Sequence, residues 1–448
     1  MIHETIESKT RKAFSKRGVQ SKMCQIRCDK TNAGKELGAM ISKLLQFKSE
    51  NPPVEDYDVQ LFIKEELEKV GLKVKLHHPG DKAVALTSSF GGDEPGLIFY
   101  GHTDVVHAGD RKGWRYPPYS GRILNGRVFG RGASDMKAAL AAELFAFRLL
   151  FESEVELPGR LEFVSVLDEE NWHRTPVGYG TSDWLLSTCK LTGKSCVMGE
   201  PGGISRICIG ERGDYWVKLR SVGKPRHGSA PVYDENPCVR LFKCLDEIRE
   251  CIKEKVTPPQ EVKHLIKPSS VFLRDALSSS GIGDYETARD LLTHYSMNVG
   301  RVTGGTMINV VPEDCEAEVA FCIPLGATRR ELDGKTKRIL KEPQYSNVNL
   351  EYLGESDAAG PSYTSPKSHL VKSLSRSASQ VLGKPVPLYL TQGTSDANVF
   401  RSHGVDTCFY GPGTYEGAHG YNESVSIRDT LTALKVYLRL VGNFFGIK

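Results

Sequence analysis

The sequence predicts an α/β protein, a layered α/β domain into which a smaller α+β domain is inserted. Three observations lead there. Helical-period apolar runs alternate with short strand-like runs as far as residue 205, two-residue alternation takes over between residues 206 and 326, and the first pattern returns from residue 327. With 448 residues, 39% of them hydrophobic and 25% charged, the chain can bury two cores.

Residues 1–32 are rich in Lys, Arg, Ser and Thr with little periodicity and read as a weakly ordered extension. The first part of the layered domain, residues 33–205, opens with Leu37, Met40, Ile41, Leu44 and Leu45 at helical spacing. A second helix runs through Leu61, Ile63, Leu67 and Val70, and strand-like runs follow at residues 73–77, 83–87 and 96–100. Residues 135–150 are Ala- and Leu-rich and predict a helix. Residues 160–167 predict a strand that ends in Asp168, Glu169 and Glu170, and residues 195–198 predict another that ends near Glu200. Acids therefore gather at the C-terminal ends of strands, where open α/β sheets place their ligand sites. In the inserted domain, residues 206–326, alternating segments 214–222 and 314–323 flank a helix over 236–255. Residues 327–448 return to the first domain with a helix at 368–382, strands at 386–389 and 407–410, and a closing helix at 428–445.

Composition excludes several classes of function. The net charge of +4 is spread along the chain without a long basic run, so neither nucleic acid nor an anionic membrane is expected as partner. No stretch approaches the ~18 apolar residues of a membrane span, and the N-terminus lacks the apolar core of a secretory signal, so a soluble cytoplasmic protein is expected. Eleven cysteines, an odd number without repeated spacing, fit a reducing compartment better than a disulfide framework. Cys24 and Cys28 have no second Cys/His pair nearby and do not form a zinc knuckle on this reading.

Chemistry-bearing residues cluster in five segments: Gly101-His102-Thr103-Asp104, Gly132-Ala133-Ser134-Asp135-Met136-Lys137, Asp168-Glu169-Glu170, Gly199-Glu200-Pro201 and Ala418-His419. Singly, each has an ordinary explanation. A lone His after a strand is most often a hydrogen-bonded loop residue, and Asp-Glu-Glu is most often a solvated turn. Together they offer imidazole and carboxylate ligands without cysteine, a donor set suited to zinc, cobalt or manganese.

The five segments resemble the co-catalytic dizinc peptidase and deacylase family that includes acetylornithine deacetylase, succinyl-diaminopimelate desuccinylase, aminoacylase and glutamate carboxypeptidase. Asp135 follows His102 by 33 residues and Glu169 follows Asp135 by 34, and these intervals match the desuccinylase pattern. So do Trp114 through Pro117-Pro118 and the run Gly126-Arg127-Val128-Phe129-Gly130-Arg131-Gly132. The likeness covers roughly residues 35–445. It implies a zinc-peptidase-like α/β/α catalytic domain and an inserted ferredoxin-like domain that serves as lid and dimerisation surface. It also implies two Zn²⁺ ions, with Co²⁺ or Mn²⁺ as substitutes. His102 and Glu200 would hold one ion, Glu170 and His419 the other, and Asp135 would bridge both. Asp104 would orient His102, and Glu169 would act as general base towards a metal-bridged water. His227, in Arg226-His227-Gly228-Ser229-Ala230-Pro231, would steady the oxyanion, in many members from the partner subunit of a homodimer. Asn309 would lie on the same side of the substrate.

The pattern departs from the family at two places. Cys322 stands where the desuccinylase likeness expects an Arg that grips a carboxylate, and a thiol makes no bidentate charged contact. Either another base such as Arg301 takes that role, or the substrate presents no free carboxylate there. After Glu170 the usual short turn becomes the longer run of residues 171–180, a pocket wall or a surface insertion. The segment Thr391-Gln392-Gly393-Thr394-Ser395-Asp396-Ala397-Asn398 resembles the desuccinylase version, so Thr394 and Ser395 are candidates for the acyl end. The resemblance therefore points to an amidohydrolase of N-acyl amino acids or N-acyl diamino acids. A di- or carboxypeptidase of the same family is the alternative. A catalytically silent binding protein is a third reading, disfavoured because all five ligand positions and Glu169 are filled.

Overall fold

The structure is a computed structural model that describes residues 32–52, 57–79, 84–170, 180–278, 283–353 and 360–447. The extension expected over residues 1–32 lies outside the described residues apart from Asn32, as do Cys24, Cys28 and residues 171–179 of the loop after Glu170. The chain forms two compact units.

The first unit comprises Met1–Ile209, Thr364–Tyr389 and His403–Lys448. Its sheet runs in the order Val74–His77, Ala85–Gly91, Gly159–Val166, Glu94–His102, Ser195–Met198, Asp406–Phe409 and Ile207–Glu211. The central strands are parallel: Glu94–His102 pairs with Gly159–Val166 on one side and Ser195–Met198 on the other, and Asp406–Phe409 extends the run. These strands read as nearly continuous apolar runs because they are buried on both faces, which is what a parallel sheet requires. The helix Lys137–Glu152 is rich in small side chains and buries residues around most of its circumference, Ala138, Ala139, Ala141 and Ala142 among them. Ile427–Phe445 packs against it and against His369–Leu382, with the Tyr437 ring 5.6 Å from Phe99 of the central strand. Each fully buried aromatic or Leu side chain of this core contributes roughly 1.5–3 kcal/mol. Among the described residues no helix is long and apolar enough to cross a membrane.

The second unit comprises Gly210–Tyr363 and Leu390–Ser402. Its antiparallel sheet has the order Ser296–Gly304, Asp314–Ile323, Gly213–Val222, Val348–Tyr352. Burial alternates along Gly213–Val222 and Asp314–Ile323, so one face carries Tyr215, Val217, Leu219, Val319 and Phe321 into a core with Leu241, Leu245 and Ile248 of the helix Pro237–Cys251. That is the α+β arrangement expected for the insertion. The unit runs on past the expected return at residue 327. Leu332 and Ile339 of Arg329–Leu340 join the same core, and Val348–Tyr352 pairs with Gly213–Val222, so the chain re-enters the first unit only at Thr364.

Candidate metal centre

His102 ends the central strand Glu94–His102 and is buried. Its Nδ1 lies 3.0 Å from the carbonyl oxygen of Asp104 and 3.4 Å from Asp104 Oδ1, which turns Nε2 the other way. There Nε2 meets Asp135 Oδ1 at 3.1 Å and Glu200 Oε1 at 3.8 Å. Asp135 precedes the helix Lys137–Glu152, and its second oxygen, Oδ2, lies 3.3 Å from His419 Nε2. Glu170 Oε1 approaches the same His419 nitrogen at 3.2 Å. One carboxylate thus presents each of its oxygens to a different imidazole, with Glu200 beside the first and Glu170 beside the second.

The charge balance of this cluster asks for cations. Burial opposes protonation of His102, yet Asp104 and Asp135 outweigh it and hold the ring well above its ordinary range. The His419 ring is half exposed; partial loss of solvation opposes its protonation, and Asp135 and Glu170 nevertheless push its pKa up to about 11. Asp135, despite its burial, is held below the usual carboxylate range by the two imidazoles, whereas burial and the nearby Asp135 raise Glu170. Donor atoms of His102, Asp135 and Glu170 all fall within 4.8 Å of one another, a spacing one ion can span. Imidazole nitrogen and carboxylate oxygen without sulfur is a donor set that zinc, cobalt and manganese accept, so these residues fit a metal centre.

Asp104 does more than face His102. Its Oδ1 and Oδ2 accept the backbone amides of Glu169 at 3.2 Å and Glu170 at 2.9 Å, and Asn51 Nδ2 donates to Oδ2 at 2.9 Å. The carboxylate therefore fixes the Glu169-Glu170 turn at the end of Gly159–Val166. Next to it, Asp168 Oδ2 accepts both the amide and the hydroxyl of Thr181, at 2.9 and 2.8 Å. His419 itself has φ 60, a left-handed backbone that costs a non-glycine residue roughly 1–3 kcal/mol unless neighbouring contacts impose it. One such contact comes from Arg131, whose guanidinium donates to the His419 carbonyl at 3.2 Å and is itself paired with Glu423. Arg131 stands in the family-like run 126–132 but is given no role by the sequence reading, which does not single out Glu423.

The remaining candidates belong to the second unit. Arg226–His227 pairs with Val310–Val311, and the Gly228 amide donates to the Asn309 carbonyl at 2.7 Å, so His227 and Asn309 are neighbours. A Cβ on Gly228 would fall 2.8 Å from that carbonyl, which is why glycine follows the histidine. The His227 side chain is exposed and pairs with Ser229 Oγ at 2.7 Å. Arg301 stands on the edge strand Ser296–Gly304 with its guanidinium 3.6 Å from Glu318. Thr394 donates its hydroxyl to the Arg212 carbonyl at 2.6 Å and Ser395 donates to Glu211 Oε2 at 3.0 Å, so both hydroxyl protons are committed within the protein. Arg212 is a second residue the sequence reading passed over. Its buried guanidinium donates to the Cys322 carbonyl at 2.8 Å and to Ser296 Oγ at 2.9 Å, placing a cation beside Cys322, where the resemblance leads one to expect Arg.

The sequence model of Peptidase family M20/M25/M40 matches residues 98–443. A succinyl-diaminopimelate desuccinylase of Pseudoalteromonas translucida is 27% identical over 415 residues, covering 90% of this chain and 98% of the relative. One of the same name from Anaplasma marginale is 29% identical over 406 residues, covering 86% and 91%. Among solved structures, the M20 family metallo-carboxypeptidase Sso-CP2 from Sulfolobus solfataricus superposes with a TM-score of 0.78 at 23% identity, over 92% of this chain and 100% of that one. Human carnosine dipeptidase 1 gives 0.75 at 17% identity, over 96% and 99%. At such identities the two structures speak for the fold, which is the α/β architecture with an insertion expected from the sequence.

Proposed function

Because this chain belongs to peptidase family M20/M25/M40, we propose that it hydrolyses the amide of an N-acyl amino acid or N-acyl diamino acid with two divalent cations held by His102, Asp135, Glu170, Glu200 and His419. Membership makes it a metal-dependent hydrolase of amide or peptide bonds. What carries the two-cation reading is Asp135, whose Oδ1 and Oδ2 each face a different imidazole, at 3.1 and 3.3 Å. Zinc is the ion proposed, with cobalt or manganese able to replace it.

Divalent cations in such a site supply Lewis acidity, a polarised amide carbonyl and a water acidified towards a pKa of ~7. Glu169 is the general base in this reading. Its carboxylate takes the proton of the attacking water and returns it to the leaving amine, while Asp104, holding the Glu169 amide, keeps it aimed. His227 and Asn309 are read as donors to the developing oxyanion. Arg301, Thr394 and Ser395 are read as lining the substrate's carboxylate and acyl ends. An acylated amino acid is favoured because curated desuccinylases match most of the chain. Cys322, where the desuccinylase likeness expects an Arg for the substrate's α-carboxylate, leaves that role to another base such as Arg301 or points to a substrate without a free carboxylate there. A di- or carboxypeptidase of the same family is the second reading.

We further read the protein as a cytoplasmic homodimer joined through the second unit. Support comes from nine described cysteines that are all free thiols, and from the edge strand Ser296–Gly304 with its exposed Val299 and Val302, an open template for pairing.

The deciding experiment is hydrolysis of a panel of N-acetyl and N-succinyl amino acids and of dipeptides by the zinc-reconstituted protein and by Glu169→Ala. Turnover that drops on the order of 10²- to 10⁴-fold in the variant is the expected result, and the best substrate separates deacylase from peptidase. A protein that binds two ions yet cleaves none of the panel would overturn the substrate assignment.

A further inference from the structure

Asp135 and His419 come from remote parts of the chain, and neither stands on a strand of the main sheet. They meet because their loops hold each other. Arg131, four residues before Asp135, forms a buried ion pair with Glu423, four residues after His419, with NH1 2.9 Å from Oε2. The Glu423 carboxylate accepts the amides of Gly132 at 3.0 Å, Ser134 at 2.7 Å and Asp135 at 3.1 Å. In return Arg131 donates to the carbonyls of His419 at 3.2 Å, Gly420 at 3.1 Å and His107 at 3.2 Å. The arginine of the Asp135 loop grips the His419 loop, and the glutamate of the His419 loop grips the Asp135 loop. A Cβ on Gly413 would lie 1.9 Å from the Ser134 carbonyl oxygen, so the two backbones run in direct contact.

We propose that Arg131 and Glu423 are one positioning unit that sets the gap between Asp135 and His419, and so governs how tightly the cation between Asp135, Glu170 and His419 is held. This rests on the metal reading given above. The chemistry of the clasp makes it sensitive to small changes. Every group around the Glu423 carboxylate is a donor, three amides and a guanidinium, so the NH₂ of a glutamine there faces another donor and pushes one loop away. A lysine at 131 keeps the charge, but a single ammonium cannot reach His107, His419, Gly420 and Glu423 together. Loss of such an outer contact lowers metal affinity by roughly 10- to 100-fold in comparable sites.

The test uses full-length protein stripped with a chelator and titrated with Zn²⁺ by calorimetry, and with Co²⁺ by its visible absorption. Glu423→Gln and Arg131→Lys are compared with Glu162→Gln, which loses a buried carboxylate that accepts the Thr192 and Gly193 amides. We expect one of the two ions to bind ~10- to 100-fold more weakly in both clasp variants, with an altered Co²⁺ band. Glu162→Gln should lose stability but keep both affinities. Clasp variants that bind both ions as tightly as the parent, whatever their stability, overturn the inference and leave the metal reading standing. A parent that binds no divalent ion ends the metal reading itself, and the clasp with it. If Glu423→Gln does not fold, Arg131→Lys carries the comparison alone.

Discussion

Most functional candidates of the first unit are buried or half-buried and most of those of the second are more exposed, with the half-exposed His419 and the buried Ser395 as exceptions. In the first, His102, Asp104, Glu169 and Glu200 are buried, and Asp104, Asp135 and Glu170 are each tied into a backbone hydrogen-bond network. In the second, His227 and Arg301 are solvent-facing, and the His227–Asn309 neighbourhood hangs on two-residue strands. The contrast separates two tasks. Metal ligation and proton transfer need atoms fixed to within ~0.5 Å, which a packed sheet end provides. Discrimination among substrates tolerates, and profits from, exposed segments that vary without disturbing that core.

Removing the metal should sharpen this contrast most. Chelation is expected to abolish turnover and to lower hydrogen-exchange protection in Glu94–His102 and Lys137–Glu152 while sparing Gly213–Val222 and Asp314–Ile323. At free metal 100 times Kd, each ion stabilises the unit that holds it by ~2.7 kcal/mol. Equal loss of protection in both units would break the comparison. A smaller effect is expected from His227→Ala, a fall in kcat of roughly 10²- to 10³-fold with both metal affinities intact. If titration instead showed a lost ion, His227 would belong with the ligands.

The smallest expected effect concerns Glu143, a carboxyl inside the helix Lys137–Glu152 whose oxygens have no hydrogen-bond partner among the described residues. Burial, with Glu200 adding to it, holds this carboxyl well above its ordinary value of 4.5. The folded state therefore binds a proton that the unfolded state releases above pH 4.5, and stability falls as pH rises from there towards the folded value. Glu143→Met removes that dependence. The variant's gain in unfolding free energy should grow with pH by at most ~1.4 kcal/mol per unit, read from urea melts at successive pH values. A gain that is flat with pH would mean that Glu143 is ionised in the folded protein.

Local signals made much of this legible. Strand ends expected at residues 100, 167 and 198 lie within two residues of the observed ends at His102, Val166 and Met198, because a buried parallel strand is written in consecutive residues. What escaped the sequence reading depends on partners far away. Glu423 sits in Tyr421-Asn422-Glu423-Ser424 and looks like a surface charge, and its partner Arg131 lies 292 residues earlier. Arg212 in Glu211-Arg212-Gly213 is equally ordinary until the fold buries it against Cys322. The same blindness moved the second boundary. The Thr328–Glu331 capping box marks a helix start without saying which sheet the helix will cover, and the pairing of Val348–Tyr352 with Gly213–Val222 has no local signature.

The first unit is assembled from three separate stretches of chain, and His419 and Glu423 arrive with the last of them. During synthesis the ribosome delivers His102, Asp135, Glu170 and Glu200 well before these two. Until residue 423 has emerged, the nascent protein holds the larger part of an acidic cluster with neither its second imidazole nor its clasp. On the reading proposed here, hydrolytic competence is withheld from every chain that stops before His419, because Asp135 then lacks both the His419 imidazole and the Glu423 carboxylate that accepts its amide.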